Sequence, residues 1–331
     1  MIYKAAVIGL GNIGFKFDLD NKRKGTWSHA AAYERSEKTE LAAAVEINAA
    51  NAELFRKNYN NIPVFKSIKQ MMDNVTIDIV SISTTTETHY PILKELVQYP
   101  LKAIFCEKPL SLNQDEAMEM VSLCSKANII MAVNHTRRWE GNFLLARQMI
   151  QEGKLGGIRA VSVFYPDQIF NVGTHLFDAI NMLIDRKPRY VSGIGRDLAV
   201  SDPGISGWIL FEDDILCTVN ALGKREDLVF ELDIIGSAGR LNILENGQKL
   251  AYHIFSESSH YSGYRELTVG KTETPPEKDR FVAAIDDIIA VLEGAKDRVN
   301  CTGMDGCLAM TLALSLVNSA KKQGMPLEVS Y

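Results

Sequence analysis

Ile2-Tyr3-Lys4-Ala5-Ala6-Val7-Ile8-Gly9-Leu10-Gly11-Asn12-Ile13-Gly14 opens the chain with an apolar run that stops at three glycines in the spacing G-x-G-x-x-G. Directly after a strand, that spacing makes a turn tight enough for backbone N–H groups to approach a pyrophosphate, and a following helix N-terminus favours the negative charge. Gly9, Gly11, Asn12, Ile13 and Gly14 are therefore candidate dinucleotide contacts. Glu46 ends the next apolar run, where a carboxylate accepts from both hydroxyls of an adenosine ribose. Thirty-two positions separate Glu46 from Gly14, against about 20 in the usual fingerprint, so an insertion is expected. The polar stretch Phe15 to Ser28, with Lys22-Arg23-Lys24 inside it, supplies one; it ends at Thr26 or Ser28, either of which can cap a helix from His29.

Outward from this turn, short β-branched runs alternate with helical patterns to about residue 133: Ile2 to Ile8, Leu41 to Glu46, Ile77 to Ile82, Ala103 to Cys106 and Ile129 to Val133. Such alternation is the βαβ signature of a parallel sheet covered on both faces. Asn113, three residues before Glu116, marks a helix start. From residue 158 longer strands follow one another with turns between them: Ile158 to Tyr165, Tyr190 to Ile194, Trp208 to Phe211, Ile215 to Ala221, Leu228 to Ile235 and Leu241 to Leu244. Two amphipathic helices close the chain, one through Phe281, Ile285, Ile288 and Leu292, the other from about Met304 to Lys322. The expected fold is an α/β Rossmann dinucleotide-binding domain over 1–133, then an α+β domain over 134–331 with a largely antiparallel sheet.

Composition narrows the function. With 331 residues, a net charge of -5 and no basic cluster beyond Lys22-Arg23-Lys24, no nucleic-acid partner is expected. The longest nearly apolar stretch, Cys307 to Val317, is too short to cross a bilayer, and the N-terminus has no signal-peptide pattern, so no membrane association and a cytoplasmic location are expected. The five cysteines form no C-x-x-C pair and no zinc spacing; reduced thiols and no metal are expected. Glu46 repels a 2′-phosphate, and Ile47 and Asn48 offer no arginine to receive one, which predicts NAD(H) in preference to NADP(H) unless Lys22, Arg23 or Lys24 folds over the adenosine end.

Two further loops follow strand ends, where ligands bind in open parallel sheets. Thr84-Thr85-Thr86-Glu87-Thr88-His89 offers hydroxyls, with Thr84, Thr85 and His89 as cofactor candidates, and Glu107-Lys108-Pro109 projects a lysine from the sheet edge. Together with Gly173-Thr174-His175-Leu176-Phe177-Asp178, in this order and at about these distances, these motifs resemble the Gfo/Idh/MocA oxidoreductases over essentially the whole chain. The resemblance implies that Lys108 is the catalytic lysine, that Pro109 follows a cis bond, and that His175 works with Lys108 near the substrate hydroxyl. It also implies that Asp178, one turn on, orients His175, that Thr174 and Glu107 line the substrate and cofactor sites, and that the second domain, over 134–331, is an open-faced sheet for substrate binding and oligomerisation, packing against another subunit in a homodimer or homotetramer.

Two positions depart from that family. Asn171 stands where an aspartate usually lies four residues before the histidine, and the glycine run before it is missing, which suggests a more open substrate pocket. An amide hydrogen-bonds but takes no proton, so the proton falls to Lys108 or His175, or to Asp167 as a substitute. Arg137, Arg138 and Trp139 either meet an anionic or sugar portion of a substrate, with Arg138 the candidate contact, or serve a hinge or interface. The expected activity is NAD-dependent interconversion of a secondary alcohol and a ketone on a sugar, cyclitol or nucleotide-linked sugar. A dinucleotide-binding sensor or scaffold without chemistry is the alternative, and a cysteine nucleophile would need Cys106.

Overall fold

In a computed structural model, which describes residues 1–272, 275 and 279–330, the chain divides into two compact units. The first comprises Met1–Trp139 and Lys278–Cys307, the second Glu140–Glu277 and Leu308–Tyr331. A single boundary between 133 and 134 leaves out the return of 278–307 to the first unit.

In chain order the first unit contains β1 (Tyr3–Ile8), α1 (His29–Arg35), β2 (Thr39–Val45), α2 (Ala49–Asn58), β3 (Val64–Phe65), α3 (Ile68–Asn74), β4 (Ile79–Ile82), α4 (Thr86–Leu96), β5 (Ala103–Cys106), α5 (Gln114–Lys126) and β6 (Ile130–Val133). The six strands pair in parallel in the order β3-β2-β1-β4-β5-β6. Crossing from β1 outward in both directions creates a switch point at its carboxyl end, where open sheets bind ligands. Strands β4 and β5 are buried at every position, and only Ser81, bonded to the Tyr33 hydroxyl, interrupts their apolar runs. Asn113 caps α5 as expected, its Oδ1 accepting from the Asp115 and Glu116 N–H groups.

The insertion interrupts a helix. After Gly11 the chain makes one helical turn, with Phe15 N–H donating to Gly11 O, and then leaves through the 3-10 turn Lys16–Leu19. It returns at Ser28, whose Oγ caps α1, and the His29 and Ala30 N–H groups donate to the Ile13 and Gly14 carbonyls at 3.1 and 3.0 Å. In an unbroken α-helix residues 17 and 18 would make those two bonds, so twelve residues are looped out. Removing twelve from the thirty-two between Gly14 and Glu46 leaves the roughly 20 of the usual fingerprint. Thr26 is not the cap: its N–H donates to Asp279 and its hydroxyl accepts from Arg35. Inside the loop the Arg23 guanidinium sits 3.9 Å over the Phe17 ring and 4.8 Å from the Trp27 ring centre.

The second unit contains α6 (Gly141–Gln151), β7 (Ile158–Tyr165), α7 (Thr174–Ile184), β8 (Pro188–Gly195), β9 (Ile205–Phe211), β10 (Leu216–Ala221), β11 (Glu231–Gly236), β12 (Gly239–Leu244), β13 (Lys249–Glu257) and β14 (Arg265–Val269). After α8 (Arg280–Leu292), which belongs to the first unit, α9 (Gly303–Lys321) runs past the division at Cys307, and β15 (Leu327–Glu328) ends the list of strands. The nine strands form one sheet in the order β14-β13-β12-β11-β7-β10-β9-β8-β15, antiparallel throughout except where β10 meets β7. Alternate residues of β7, β11 and β12 are buried under α6 and α7, the mark of a sheet covered on one face. The fold expected from the sequence is the one found. Leu228 to Phe230 lies outside β11, and β3, β13, β14 and β15 have no counterpart among the expected strands.

Candidate functional site

Three glycines in the first unit do three different things. Gly9 adopts φ +89°, and its amide donates to Val45 O, tying the turn to β2. A Cβ on Gly14 would fall on the Gly9 carbonyl oxygen, so that position holds the turn closed. Around Gly11 a Cβ meets no protein atom within 4 Å. Close packing at Gly14 and open room at Gly11 fit a phosphate-bearing dinucleotide, whose backbone contacts need that room. Asn12 is exposed and Ile13 half-buried on the same turn.

Glu46 follows β2 and is 9% exposed. Its Oε2 accepts from Leu10 N–H in the glycine turn and its Oε1 from Asn48 N–H, both at 2.7 Å. The acid is thereby fixed at the mouth of the turn by two backbone amides. From the end of β4, Ser83 Oγ donates to Gly9 O at 2.7 Å, and Thr84 packs its methyl against Gly9. Thr85 is exposed at the start of α4. His89 is buried, with Nδ1 3.0 Å from Pro109 O and Nε2 3.2 Å from Thr84 O. Burial pushes its pKa down, although the facing carbonyls oppose this. It ties the threonine loop to the Glu107-Lys108-Pro109 loop.

Glu107 follows β5 and is buried. Its Oε1 accepts from His29 Nε2 at 2.8 Å and from Asn134 Nδ2 at 2.6 Å, and its Oε2 from Lys108 N–H at 3.3 Å. Burial raises the pKa of this carboxyl, but hydrogen bonds from His29 and Asn134 and the Lys108 charge outweigh it and hold the group below the usual range. Glu107 is thus an ionised carboxylate under the lysine, and the Lys108–Pro109 bond is cis. His135 is buried nearby; desolvation first, then the positive charges of Lys108 and Arg138, lower its pKa to about 3, so it is neutral at pH 7. The Cys106 thiol is fully buried at the end of β5, and burial pushes its pKa well up.

Arg138 is 5% exposed, with Nη1 donating to Asn300 O at 2.8 Å and Nη2 paired with Asp305 at 3.0 Å. Trp139 donates its indole N–H to Asp287. These groups bind the returning segment.

In the second unit, Asn171, Thr174, His175 and Asp178 lie on one continuous helical stretch, a π-helical turn Ile169–Gly173 leading into α7. Asp202 anchors its start, accepting from the Phe170 and Asn171 N–H groups at 2.8 and 3.1 Å. Asn171 Nδ2 donates to Gln168 Oε1, and Thr174 Oγ1 to Phe170 O. His175 is half-buried and Asp178 fully buried one turn on. Asp167 bonds its neighbour's N–H, Gln168.

Residues 3–135 match the family described as an oxidoreductase family with an NAD-binding Rossmann fold, GFO_IDH_MocA. Over these residues the chain is similar to the Gfo/Idh/MocA oxidoreductases. An uncharacterized oxidoreductase, C115.03 of Schizosaccharomyces pombe, is 32% identical over 103 residues, which cover 31% of this chain and only 28% of that one. Inositol 2-dehydrogenase of Rhizobium meliloti is 23% identical over 326 residues, 89% of this chain and 93% of that one. The aldose-aldose oxidoreductase of Caulobacter crescentus superposes with a TM-score of 0.80 at 16% identity, over 99% of this chain and 100% of that one, and so shares its fold. Among the described residues, no helix is long and apolar enough to cross a membrane.

Sequence reasoning passed over His29, Asn134, His135 and Asp202. Asn134 and His135 had a readable signal, because they follow the end of β6 as Lys108 follows that of β5. Asp202 sits in a loop with nothing local to distinguish it.

Proposed function

We propose that the chain is an NAD-dependent oxidoreductase interconverting a secondary alcohol and a ketone on a sugar, cyclitol or nucleotide-linked sugar, working in the cytoplasm as a homo-oligomer through its second sheet. The observation that carries this reading is Lys108, set directly after a buried, ionised Glu107 at a carboxyl end of the same parallel sheet as the glycine turn. When bound, the nicotinamide dinucleotide supplies the hydride acceptor or donor. Gly9 to Gly14 hold its phosphates by backbone N–H groups, Glu46 accepts from ribose hydroxyls, and Thr84 and Thr85 line the same end of the sheet. Glu46 favours NAD(H) over NADP(H) because a carboxylate repels a 2′-phosphate.

Lys108 hydrogen-bonds the substrate oxygen whose bond order changes, and its charge favours the negative form of that oxygen. In the oxidation direction the hydroxyl proton leaves to His175, whose ordinary pKa lies near neutrality, with Asp178 orienting the ring. Asn171 holds the helix start in place of a proton-bearing group, and Thr174 contributes to the substrate side. Roles in the second unit rest on the motif and on the family's relatives.

The deciding experiment is Lys108→Met, with NADH affinity and turnover on inositols, aldoses and UDP-linked hexoses measured separately. Turnover should fall at least about a hundred-fold, as expected on removing a general acid–base group, while NADH affinity changes less than about three-fold. Turnover within a few-fold of wild type would sink the assignment.

A further inference from the structure

The twelve-residue insertion begins beside the glycine turn, and the first residue to leave it is Lys16. Its backbone still belongs to the turn, with the N–H donating to Gly11 O at 3.2 Å. Its ammonium crosses to α2 and donates to Asn51 Oδ1 at 2.9 Å. Asn51 Nδ2 lies 3.4 Å from Glu46 Oε2, so a cation stands one neutral amide away from the acid at the adenosine end. The Lys-Arg-Lys run does not take that place through its arginine, because Arg23 is stacked on Phe17 and paired with Asp20 at 3.4 Å. Ile47 and Asn48, on the turn after β2, bring no charge.

We propose that Lys16 is the residue through which the insertion joins the dinucleotide site, and that it makes the site tolerate the 2′-phosphate of NADP(H) beside Glu46. The inference rests on the dinucleotide reading above. A carboxylate alone repels a phosphate dianion, whereas a lysine is a mobile point charge that binds phosphate well. Asn51 Oδ1 is a neutral acceptor, and a phosphate oxygen is the stronger partner for the ammonium. Glu46 keeps both backbone bonds, to Leu10 and Asn48, while the lysine changes partner. Discrimination between the two dinucleotides is then a balance between Glu46 and Lys16, and neither residue sets it alone.

The test is a fluorescence titration of the full chain with NADH and, separately, NADPH, for wild type, Lys16→Met, Lys16→Arg and Lys22→Met. Lys16→Met keeps the length of the stem and removes the charge. Its NADPH dissociation constant should rise on the order of ten-fold, as for one charge-assisted hydrogen bond, with NADH within two-fold. Lys16→Arg should keep NADPH binding, and Lys22→Met should change neither. Equal weakening of both dinucleotides in Lys16→Met, unchanged NADPH binding, or a wild type that binds NADH and not NADPH overturns the assignment to Lys16 alone. A wild type that binds neither overturns the dinucleotide reading and this inference with it.

Discussion

Gly11 and Gly14 are both glycines of the same turn, yet the structure predicts opposite consequences for replacing them. At Gly11 the backbone lies outside the left-handed region, and an added Cβ meets nothing within 4 Å. Gly11→Ala should therefore leave the fold intact and can stabilise it by about 0.4–1 kcal/mol, because the unfolded chain loses freedom. The same methyl occupies the room a pyrophosphate needs to reach the backbone amides. Losing even one charge-assisted hydrogen bond, about 1.5–3 kcal/mol, weakens NADH binding roughly ten- to a hundred-fold. At Gly14 the Cβ lands on the Gly9 carbonyl oxygen and lies 3.1 Å from its carbon and 3.2 Å from Leu10 Cα. Those are backbone atoms, one of them pinned by Ser83 Oγ, so the turn must open. Gly14→Ala should cost at least about 1–3 kcal/mol of stability, as overpacking does, and lose NADH binding as well. Urea unfolding and NADH titration on the same preparations separate the two. An intact Gly11→Ala chain that binds NADH within two-fold of wild type would refute the turn as the phosphate cradle.

Two more expectations concern the supports of the site. His135 has a folded pKa of about 3 against about 6.5 in the unfolded chain, so its neutral burial contributes stability that is complete above about pH 6.5 and is lost progressively as pH falls toward 3. The unfolding free energy of His135→Gln should decline between pH 6 and 4 less steeply than that of wild type, by up to about 1.4 kcal/mol per pH unit; equal slopes would show that folding leaves the His135 pKa unshifted. Asp202→Ala removes an acceptor from the Phe170 and Asn171 amides and should cost about 1–3 kcal/mol, with turnover falling while NADH affinity holds; if NADH affinity drops instead, the carboxylate serves the first unit.

What could be read in advance divides by how far away each residue's partner lies. The glycine turn was legible because its demands are local: left-handed backbone at Gly9 and a crowded carbonyl facing Gly14 both exclude side chains from within a few residues. Strands β4 and β5 are legible because burial on both faces leaves one polar position, Ser81, whose hydroxyl is bonded to that of Tyr33. Strands β13 and β14 escaped because they have no buried face: their residues are half-buried or exposed on both sides, which erases the alternation a reader looks for. Locally Thr26 and Ser28 serve equally as the cap of α1, and what separates them is Asp279, which engages the Thr26 amide from more than two hundred residues away. The partners of Arg138 are illegible for the same reason, since Asn300 and Asp305 arrive only when the chain returns after the second sheet. The Glu107 cluster is the sharpest case. Its carboxylate is the first residue after β5, Asn134 the first after β6, and His29 the first residue of α1 once the insertion closes. A parallel sheet gathers its carboxyl ends into one row, so polar residues immediately following each apolar run are neighbours by topology even when dozens of positions separate them. Applied to this chain, that rule brings Glu46, Ser83, Glu107 and Asn134 to one edge before any coordinates are known; only His29, delivered by a helix whose start the insertion displaces by twelve residues, stays beyond it.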